Sequence, residues 1–217
     1  MQPAAERLTL CGDAGPPLAG ALGAMALPAG NAALPPGAPP ERQRRQQRAA
    51  ARTALAAELA VALGLPAAEI TLSDERGHPP QAQRRDGAAL PAIGLSISHE
   101  AALSLVAWHR GAPVGVDVLR LPGAMTRAEM DALSQLYLGL KLPWAGADTG
   151  ISAIEARAFA LSWAMHEARL KCAGLALAEW APVLDQRLIG LRCAELALPA
   201  WAEANHVAAL AWRASPI

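Results

Sequence analysis

The alternation of hydrophobic and polar positions predicts a chain in which helices are followed by short strands. From Glu41 to Leu63 the chain has no Pro or Gly and is rich in Ala, Arg, Leu and Gln, which favours one long helix. Between Val114 and Leu119 a Val recurs at every second position, which is typical of a β-strand. Similar apolar runs predict strands at residues 7–11, 69–73, 93–98, 102–108, 181–184, 186–197 and 206–213.

Two more helices are predicted in the second part of the chain. The first, over residues 126–138, begins with Thr126 and Glu129, whose spacing is that of a capping box. The second spans residues 151–172 and ends before Gly174. Turns, loops or breaks are predicted at residues 14–40, 74–80, 81–89, 99–100 and 111–113.

The order of these elements predicts an α+β fold made of two similar α+β halves, because a helix with strands around it occurs twice. The boundary is placed so that residues 1–112 form the N-terminal half and residues 113–217 the C-terminal half. No sequence repeat relates the halves, so a pseudo-twofold relation between them is inferred from the element order alone.

The charge balance argues against partners that are held by overall charge. The chain carries 19 basic and 19 acidic side chains, whereas nucleic acids and anionic membranes attract a basic surplus. The uncharged run within residues 14–40 contains too little Leu for a membrane span, and Glu6 and Asp13 fit a signal peptide poorly. Three widely spaced cysteines favour reduced thiols over a zinc site or a disulfide framework. We therefore expect a cytoplasmic protein that binds neither nucleic acid nor membrane.

Ionisable side chains occur in two apolar segments. Asp117 lies within a strand, where a carboxylate needs a hydrogen-bond partner or a cation; an Asp that caps a turn is the alternative. Trp163, Glu167 and Lys171 are spaced four residues apart and share one face of a helix. A surface ion pair worth at most ~0.5 kcal/mol explains Glu167 and Lys171. The Trp on the same face, however, indicates a cleft.

The adjacent Ser98 and His99 do not predict a hydrolase. Neighbouring side chains in a strand point to opposite faces, so the two residues cannot act as a nucleophile and its base. The chain also lacks a G-x-S-x-G nucleophile turn.

Four short segments follow one another in an order that matches a known family. They are Gly77-His78-Pro79, Ser96-Ile97-Ser98-His99, Gly115-Val116-Asp117-Val118, and the run from Trp163 through His166-Glu167 to Lys171. Together they resemble the 4′-phosphopantetheinyl transferases in their longer, two-half form, known as Sfp-type. The family patterns are G-K-P, N-x-S-H-S, G-V/I-D-V/I/L-E and W-x-x-K-E-A/S-x-x-K. Arg52-Thr53-Ala54-Leu55 is similar to the family's upstream R-x-L-L segment.

The resemblance implies an enzyme that transfers 4′-phosphopantetheine from coenzyme A to a serine of an acyl or peptidyl carrier protein, releasing 3′,5′-ADP. It implies an active site in the cleft between the halves, with Mg²⁺ held by Asp117 and Glu167, since Mg²⁺ prefers oxygen ligands. Glu167 is then the base for the serine proton, directly or through a bound water. Lys171 stabilises the departing 3′,5′-ADP. The residues implied in coenzyme A binding are Arg52, His78, Ser98, His99 and Lys171.

The chain departs from the family at several positions. Leu119 stands where the family has a second acidic residue after G-V-D, and Glu100 replaces the second Ser of S-H-S. His166 replaces the Lys before the helix Glu, and His78 replaces the Lys of G-K-P. The alternative hypothesis is therefore a catalytically weakened relative that binds coenzyme A or a carrier protein without efficient transfer. The family's longer members resemble an internal dimer, so we expect a monomer.

The arginines of the first helix have two interpretations. A solvated basic face is the usual one, and phosphate binding requires only one or two of its members. Arg52 is favoured for phosphate because its neighbours match the family, and the others are suited to steering an acidic carrier. The basic stretch comprises Arg42, Arg44, Arg45, Arg48 and Arg52.

Overall fold

The computed structural model describes residues 4–11, 22–28, 39–75, 78–100, 103–142, 144 and 150–213. The helices in these ranges are α1 (Pro40–Leu63), α2 (Arg127–Leu133), α3 (Ala153–Cys172), α4 (Pro182–Leu188) and α5 (Ala200–Glu203). The strands are β1 (Glu6–Arg7), β2 (Thr9–Leu10), β3 (Leu22–Pro28), β4 (Ile70–Leu72), β5 (Ala82–Arg84), β6 (Ile93–Glu100), β7 (Leu103–Arg110), β8 (Val114–Arg120), β9 (Leu191–Ala197) and β10 (His206–Arg213). Among the described helices, none has the length and apolar character needed to cross a membrane.

Eight of these strands form two antiparallel, four-stranded sheets. The first sheet has the order β1-β3-β7-β6 and the second the order β2-β9-β10-β8, while β4 and β5 pair separately. β1 and β2 are neighbours in sequence but belong to different sheets. The last strands of the two sheets, β6 and β8, contact each other through side chains.

The two sheets share a hydrophobic core, and one long helix covers each sheet from outside. Leu105 of β7, Val116 of β8 and Leu210 of β10 belong to the shared core. The opposite face of β7 packs against α1, and the opposite face of β10 packs against α3. The layers therefore run in the order α1, first sheet, second sheet and α3, which is a stable way to bury both faces of each sheet.

The predicted mixture of helices and antiparallel strands is confirmed. α1, α3, β8 and β10 lie within one or two residues of their predicted bounds, and the predicted capping box at Thr126 and Glu129 begins α2. A second capping box, formed by Ser152 and Glu155, begins α3. The helix predicted over 126–138 is α-helical to Leu133 and continues as a π-helical turn.

The prediction of a loop over residues 14–40 is wrong for residues 22–28, which form β3. This strand pairs with β7 over its whole length, from Leu22 opposite His109 to Pro28 opposite Leu103. Its Ala and Gly residues have low strand propensity, so pairing with a segment distant in sequence overrides the local preference. Gly23 is needed there, because an added Cβ would lie 2.7 Å from Nε1 of Trp108. Residues 14–21 and 29–38 of the predicted loop lie outside the described residues.

Three smaller predictions are also wrong. Residues 82–84 of the predicted polar loop form β5, which pairs with β4, and an ion pair joins Arg84 to Glu69. The strand predicted at 181–184 is replaced by α4, because Pro182 stands in the first turn, where a helix tolerates it. The break predicted at residues 99–100 is absent, because β6 continues through Glu100.

Candidate functional site

Asp117 is the buried centre of a polar cluster on the second sheet. Only 4% of its surface is exposed. Its Oδ1 accepts hydrogen bonds from Ser98 Oγ at 2.7 Å and from Lys171 Nζ at 2.6 Å. Burial raises the pKa of Asp117, the Lys171 ammonium opposes that rise, and the nearby Glu167 carboxylate adds to it. Asp117 is therefore not a cap of an exposed turn.

Lys171 reaches this carboxylate from the last turn of α3. Its Nζ also donates to the carbonyl oxygen of Val116 and to Ser98 Oγ, both at 3.2 Å. The helix backbone can come this close because β8 presents Gly115, whose missing side chain leaves room for it. The ion-pair partner of Lys171 is thus Asp117 on a neighbouring strand rather than Glu167 on its own helix.

Glu167 lies on the same face of α3, one turn before Lys171. Trp163 Nε1 donates a hydrogen bond to Glu167 Oε1 at 2.8 Å. The Trp163 ring itself packs edge-on against Tyr137, with ring centroids 5.5 Å apart, and against Phe159. Because Lys171 Nζ lies 2.6 Å from Asp117 Oδ1 and Glu167 is one turn before Lys171 on the same face of α3, the structure brings the two carboxylates and Lys171 together.

Serine side chains join the edge strands of the two sheets beside Asp117. The backbone N–H of Val116 donates to Ser96 Oγ at 3.0 Å, and that of Val118 donates to Ser98 Oγ at 3.4 Å. The Ser98 hydroxyl in turn donates its hydrogen bond to Asp117 Oδ1. Ser98 therefore orients the buried carboxylate. The role of Ser96 was missed, although its spacing of two from Ser98 places both on one face of the strand.

His99 lies on the opposite face of β6, towards α1. Its Nδ1 is 2.8 Å from Ser104 Oγ. Burial lowers the pKa of His99 to about 4, and the charges of Arg48, Lys171 and Arg52 act in the same direction. We call the three positively charged side chains, Arg48, Arg52 and Lys171, the cationic cluster. Arg48 was not singled out from the sequence, although it precedes Arg52 by one helical turn.

Arg52 is anchored at the edge of the cationic cluster. Its guanidinium forms an ion pair with Asp74 at 2.6 Å, and its Nε donates to the carbonyl oxygen of Ser73 at 3.2 Å. Asp74 is exposed. Asp74 and the Ser73 carbonyl thus hold the Arg52 side chain in place, and Asp117 and Glu167 take no part in this.

The fold is expected to become less stable as the pH is lowered, because the folded protein holds His99 in its neutral form. The folded pKa of about 4 lies below the ordinary 6.5, so the unfolded chain binds the proton first. The free energy of unfolding should therefore decrease as the pH falls from about 6.5 to about 4. Urea unfolding across this range should show a shallower decrease in His99→Asn, which keeps a polar partner for Ser104. Equal slopes in the variant and the wild type would contradict this expectation, and the exposed His78→Asn serves as the control.

His78 lies in an exposed segment just before Pro79 and Pro80. Its ring is 62% exposed and its Nδ1 is 3.4 Å from Glu75 Oε1, while Gly77 of the same segment lies outside the described residues. Pro79 and Pro80, which follow His78, line a cavity of about 450 Å³ that we call the Lys171 cavity. Its other walls include Val114, Lys171 and Cys172.

The other three substituted family positions have different surroundings. His166 is buried, and burial together with the charge of Arg169 lowers its pKa. Leu119 and Glu100 line a second cavity, of about 440 Å³, that we call the Leu119 cavity. Because Glu100 and His99 alternate along β6, the Glu100 carboxylate is on the face of the strand opposite the His99 ring.

The donor set of Asp117 and Glu167 fits Mg²⁺ in a water-rich shell. Carboxylates are the hard oxygen ligands that Mg²⁺ prefers, and this ion needs only one or two of them. Lys171 and Ser98 both contact Asp117 Oδ1, and Oδ2 receives no hydrogen bond from the described residues. The described residues contain no group of three or more His, Cys, Asp or Glu that could hold a metal.

Comparison of the chain with protein-family models and with curated proteins finds no match in either. The resemblance to the phosphopantetheinyl transferases therefore depends on the short motifs.

Proposed function

We propose that this chain transfers 4′-phosphopantetheine from coenzyme A to a serine of an acyl or peptidyl carrier protein and releases 3′,5′-ADP. The observation that supports this most is the convergence of Asp117, Glu167 and Lys171, which the sequence holds in two separate motifs. Paired carboxylates beside an ammonium suit a phosphoryl-transfer reaction. In such a reaction a metal ion held by the carboxylates and the ammonium would neutralise the negative charge of the phosphate groups.

The nucleotide part of coenzyme A is proposed to bind near Lys171, which lines the Lys171 cavity and is also one of the cations that act on His99. Arg48, Arg52 and Lys171 all lie close enough to His99 to lower its pKa, so an anion there meets several positive charges. Arginine is suited to forked contacts with phosphate oxygens. Arg52 and His99 take the phosphate-binding roles that the resemblance implies. The exposed His78 is proposed to contact the nucleotide at the rim, next to Pro79.

In the proposed reaction, the carrier serine hydroxyl attacks the phosphorus that carries pantetheine. A bond forms between the serine oxygen and that phosphorus, the bond to the bridging pyrophosphate oxygen breaks, and 3′,5′-ADP leaves with the electron pair. Glu167 accepts the serine proton, and Trp163 Nε1 holds its carboxylate in place. Lys171 stabilises the charge that develops on the leaving phosphate.

Asp117 and Glu167 are the residues that would hold Mg²⁺, whose charge would offset that of the pyrophosphate. Ser98 orients the Asp117 carboxylate through its hydrogen bond to Oδ1. In this proposal Ser98 therefore acts on coenzyme A binding through Asp117.

The two-half arrangement belongs to the same proposal. Each four-stranded sheet is covered by one long helix, which supports two similar α+β halves with the site between them. The boundary between residues 112 and 113 stays a prediction, and Thr9–Leu10 of the N-terminal half pairs with β9 of the second sheet. A monomer is proposed, because both halves lie in one chain.

A catalytically weakened relative is the second candidate, and one contact favours it. The Lys171 ammonium lies 2.6 Å from Asp117 Oδ1, so the buried carboxylate is already compensated by a cation. Leu119 adds no further oxygen ligand. Such a protein would bind coenzyme A or a carrier and would transfer phosphopantetheine slowly.

Intact-mass measurement of carrier proteins tests the proposal. The protein is incubated with coenzyme A, Mg²⁺ and a panel of apo acyl and peptidyl carrier proteins, and a mass gain of one phosphopantetheine group is expected on at least one of them. A carrier whose acceptor Ser is replaced by Ala is the control. Binding of coenzyme A or of a carrier in calorimetry without any mass gain would support the second candidate, and absence of mass gain and of both kinds of binding would reject the two candidates together.

A further inference from the structure

Ser104 is a buried polar residue on the face of β7 that packs against α1. Val106 and Trp108 follow it at every second position of the strand, and both belong to the hydrophobic core under α1. Only 2% of the surface of Ser104 is exposed. A hydroxyl group buried in this way costs free energy unless it forms a hydrogen bond. The position of Ser104 therefore depends on its partner.

That partner is His99, which lies directly opposite Ser104 in the antiparallel pair of β6 and β7. Side chains that are opposite each other in such a pair share a face of the sheet and can touch. His99 Nδ1 is 2.8 Å from Ser104 Oγ, and among the described residues the hydroxyl forms no other hydrogen bond.

The contact with Ser104 selects one tautomer of the neutral His99 ring. If Nδ1 carried the ring proton, Ser104 Oγ would accept it, and the buried hydroxyl proton would have no acceptor among the described residues. If Ser104 donates instead, Nδ1 is the acceptor and the ring proton is on Nε2. The second arrangement pairs both groups, and an unpaired buried donor makes the first one less stable.

Nε2 of His99 is then available to a ligand. It forms no hydrogen bond with the described residues and is not one of their buried unpartnered atoms, so it is accessible. Arg48 and Arg52 of α1 and Lys171 of α3 are the charged groups that act on the ring. Burial lowers the pKa of His99 to about 4, so the ring is uncharged at neutral pH. An anion attracted by the cationic cluster therefore meets a neutral N–H donor.

We propose that Ser104 is a positioning residue, whose hydroxyl holds His99 in the tautomer with the proton on Nε2, and that this N–H donates a hydrogen bond to a phosphate oxygen of coenzyme A. A neutral ring adds a directed hydrogen bond without a fourth positive charge, which the cationic cluster would repel. The choice of ligand rests on the proposed function, whereas the tautomer depends on the contact between β6 and β7 alone.

NMR of the histidine ring nitrogens tests the tautomer without any ligand. In protein labelled with ¹⁵N-histidine at neutral pH, the His99 signals are identified by their loss in His99→Asn. A protonated Nε2 and an unprotonated Nδ1 are expected in the wild type. In Ser104→Ala the two chemical shifts should move towards each other, because the ring then exchanges between tautomers. Ser104→Thr keeps a hydroxyl and suits a strand, so it should restore the wild-type shifts.

Calorimetry with coenzyme A tests what the oriented ring does. Ser104→Ala is expected to raise the Kd about fivefold, since the hydrogen bond to phosphate weakens while the three cations remain. In carrier modification the KM for coenzyme A should rise by a similar factor, with kcat changed less than about twofold. Ser104→Thr should restore both constants. Ser134→Ala is the matched control, because Ser134 is also fully buried and its hydroxyl has no partner among the described residues. It should bind coenzyme A as the wild type does.

The outcomes separate this inference from the proposed function. A protonated Nδ1 in wild-type His99 overturns the role of Ser104, even if Ser104→Ala does not fold. A folded Ser104→Ala protein with the wild-type Kd, or one that Ser104→Thr does not rescue, also overturns it, and the proposed function then stands. If the wild type binds no coenzyme A, the proposed function fails, and the acceptor assigned to His99 Nε2 fails with it.

Discussion

Replacing Glu167 by Gln is expected to reduce phosphopantetheine transfer about 10³-fold while leaving the fold intact. A positioned general base contributes about 10² to 10⁴ in rate, and the change also removes one of the two carboxylates available to Mg²⁺. The fold should persist because Gln keeps a carbonyl oxygen that can accept the hydrogen bond from Trp163 Nε1. Time courses of carrier mass measure the rate, and urea unfolding measures stability, which should change by less than about 0.5 kcal/mol.

Glu179→Gln is the matched control for this change. Glu179 is exposed and lies between α3 and α4, away from the carboxylate pair. Its replacement should leave the rate of transfer unchanged. Activity of Glu167→Gln within tenfold of the wild type would contradict the assignment of Glu167 as the base, whatever the behaviour of the control.

Helical spacing made one part of the site predictable. Trp163, Glu167 and Lys171 recur at intervals of four, so the sequence alone places them on one face of α3. The same spacing misled about the partner of Lys171, because it favours a pair with Glu167 on the helix surface. Asp117 is buried and gains more from an ammonium than the half-buried Glu167 carboxylate does, so Lys171 pairs across elements instead.

The contact between the two sheets could not be predicted. It depends on hydroxyl groups of Ser96 and Ser98 that replace a backbone ladder between edge strands. The sequence around a serine in a strand does not indicate whether its hydroxyl will bond to the backbone of another sheet. β3 was missed for a related reason, since it is specified by pairing with β7 rather than by its own Ala-rich sequence.

The neutral net charge hides a strong local separation of charge. Arg48 and Arg52 of α1 act on His99 on one face of β6, while Asp117 lies on the other face with its ion-pair partner Lys171. Steering of an anionic substrate depends on such local fields rather than on the total. A net charge of zero is therefore compatible with the proposed binding of a phosphate-bearing ligand at a local group of cations.

Gly115→Ala is expected to destabilise the protein by about 3 kcal/mol and to lower activity at the same time. A Cβ at this position would lie 2.0 Å from the carbonyl oxygen of Ala168 and 2.5 Å from the backbone N of Cys172. Both atoms belong to the backbone of α3, so the helix must move away from β8 as a unit. Lys171 and Glu167 are carried by the same turns, and the shift would draw the Lys171 ammonium away from Asp117.

Urea unfolding and carrier modification, measured on the same samples, test this prediction. Gly123→Ala is the control, because an added Cβ there meets no atom within 4 Å and the backbone does not require glycine. Its unfolding free energy should stay within about 0.5 kcal/mol of the wild type. A Gly115→Ala protein as stable as this control would show that α3 does not rest on β8 at Gly115. Loss of activity with unchanged stability would place the role of Gly115 in the site rather than in packing, because helix displacement must affect both.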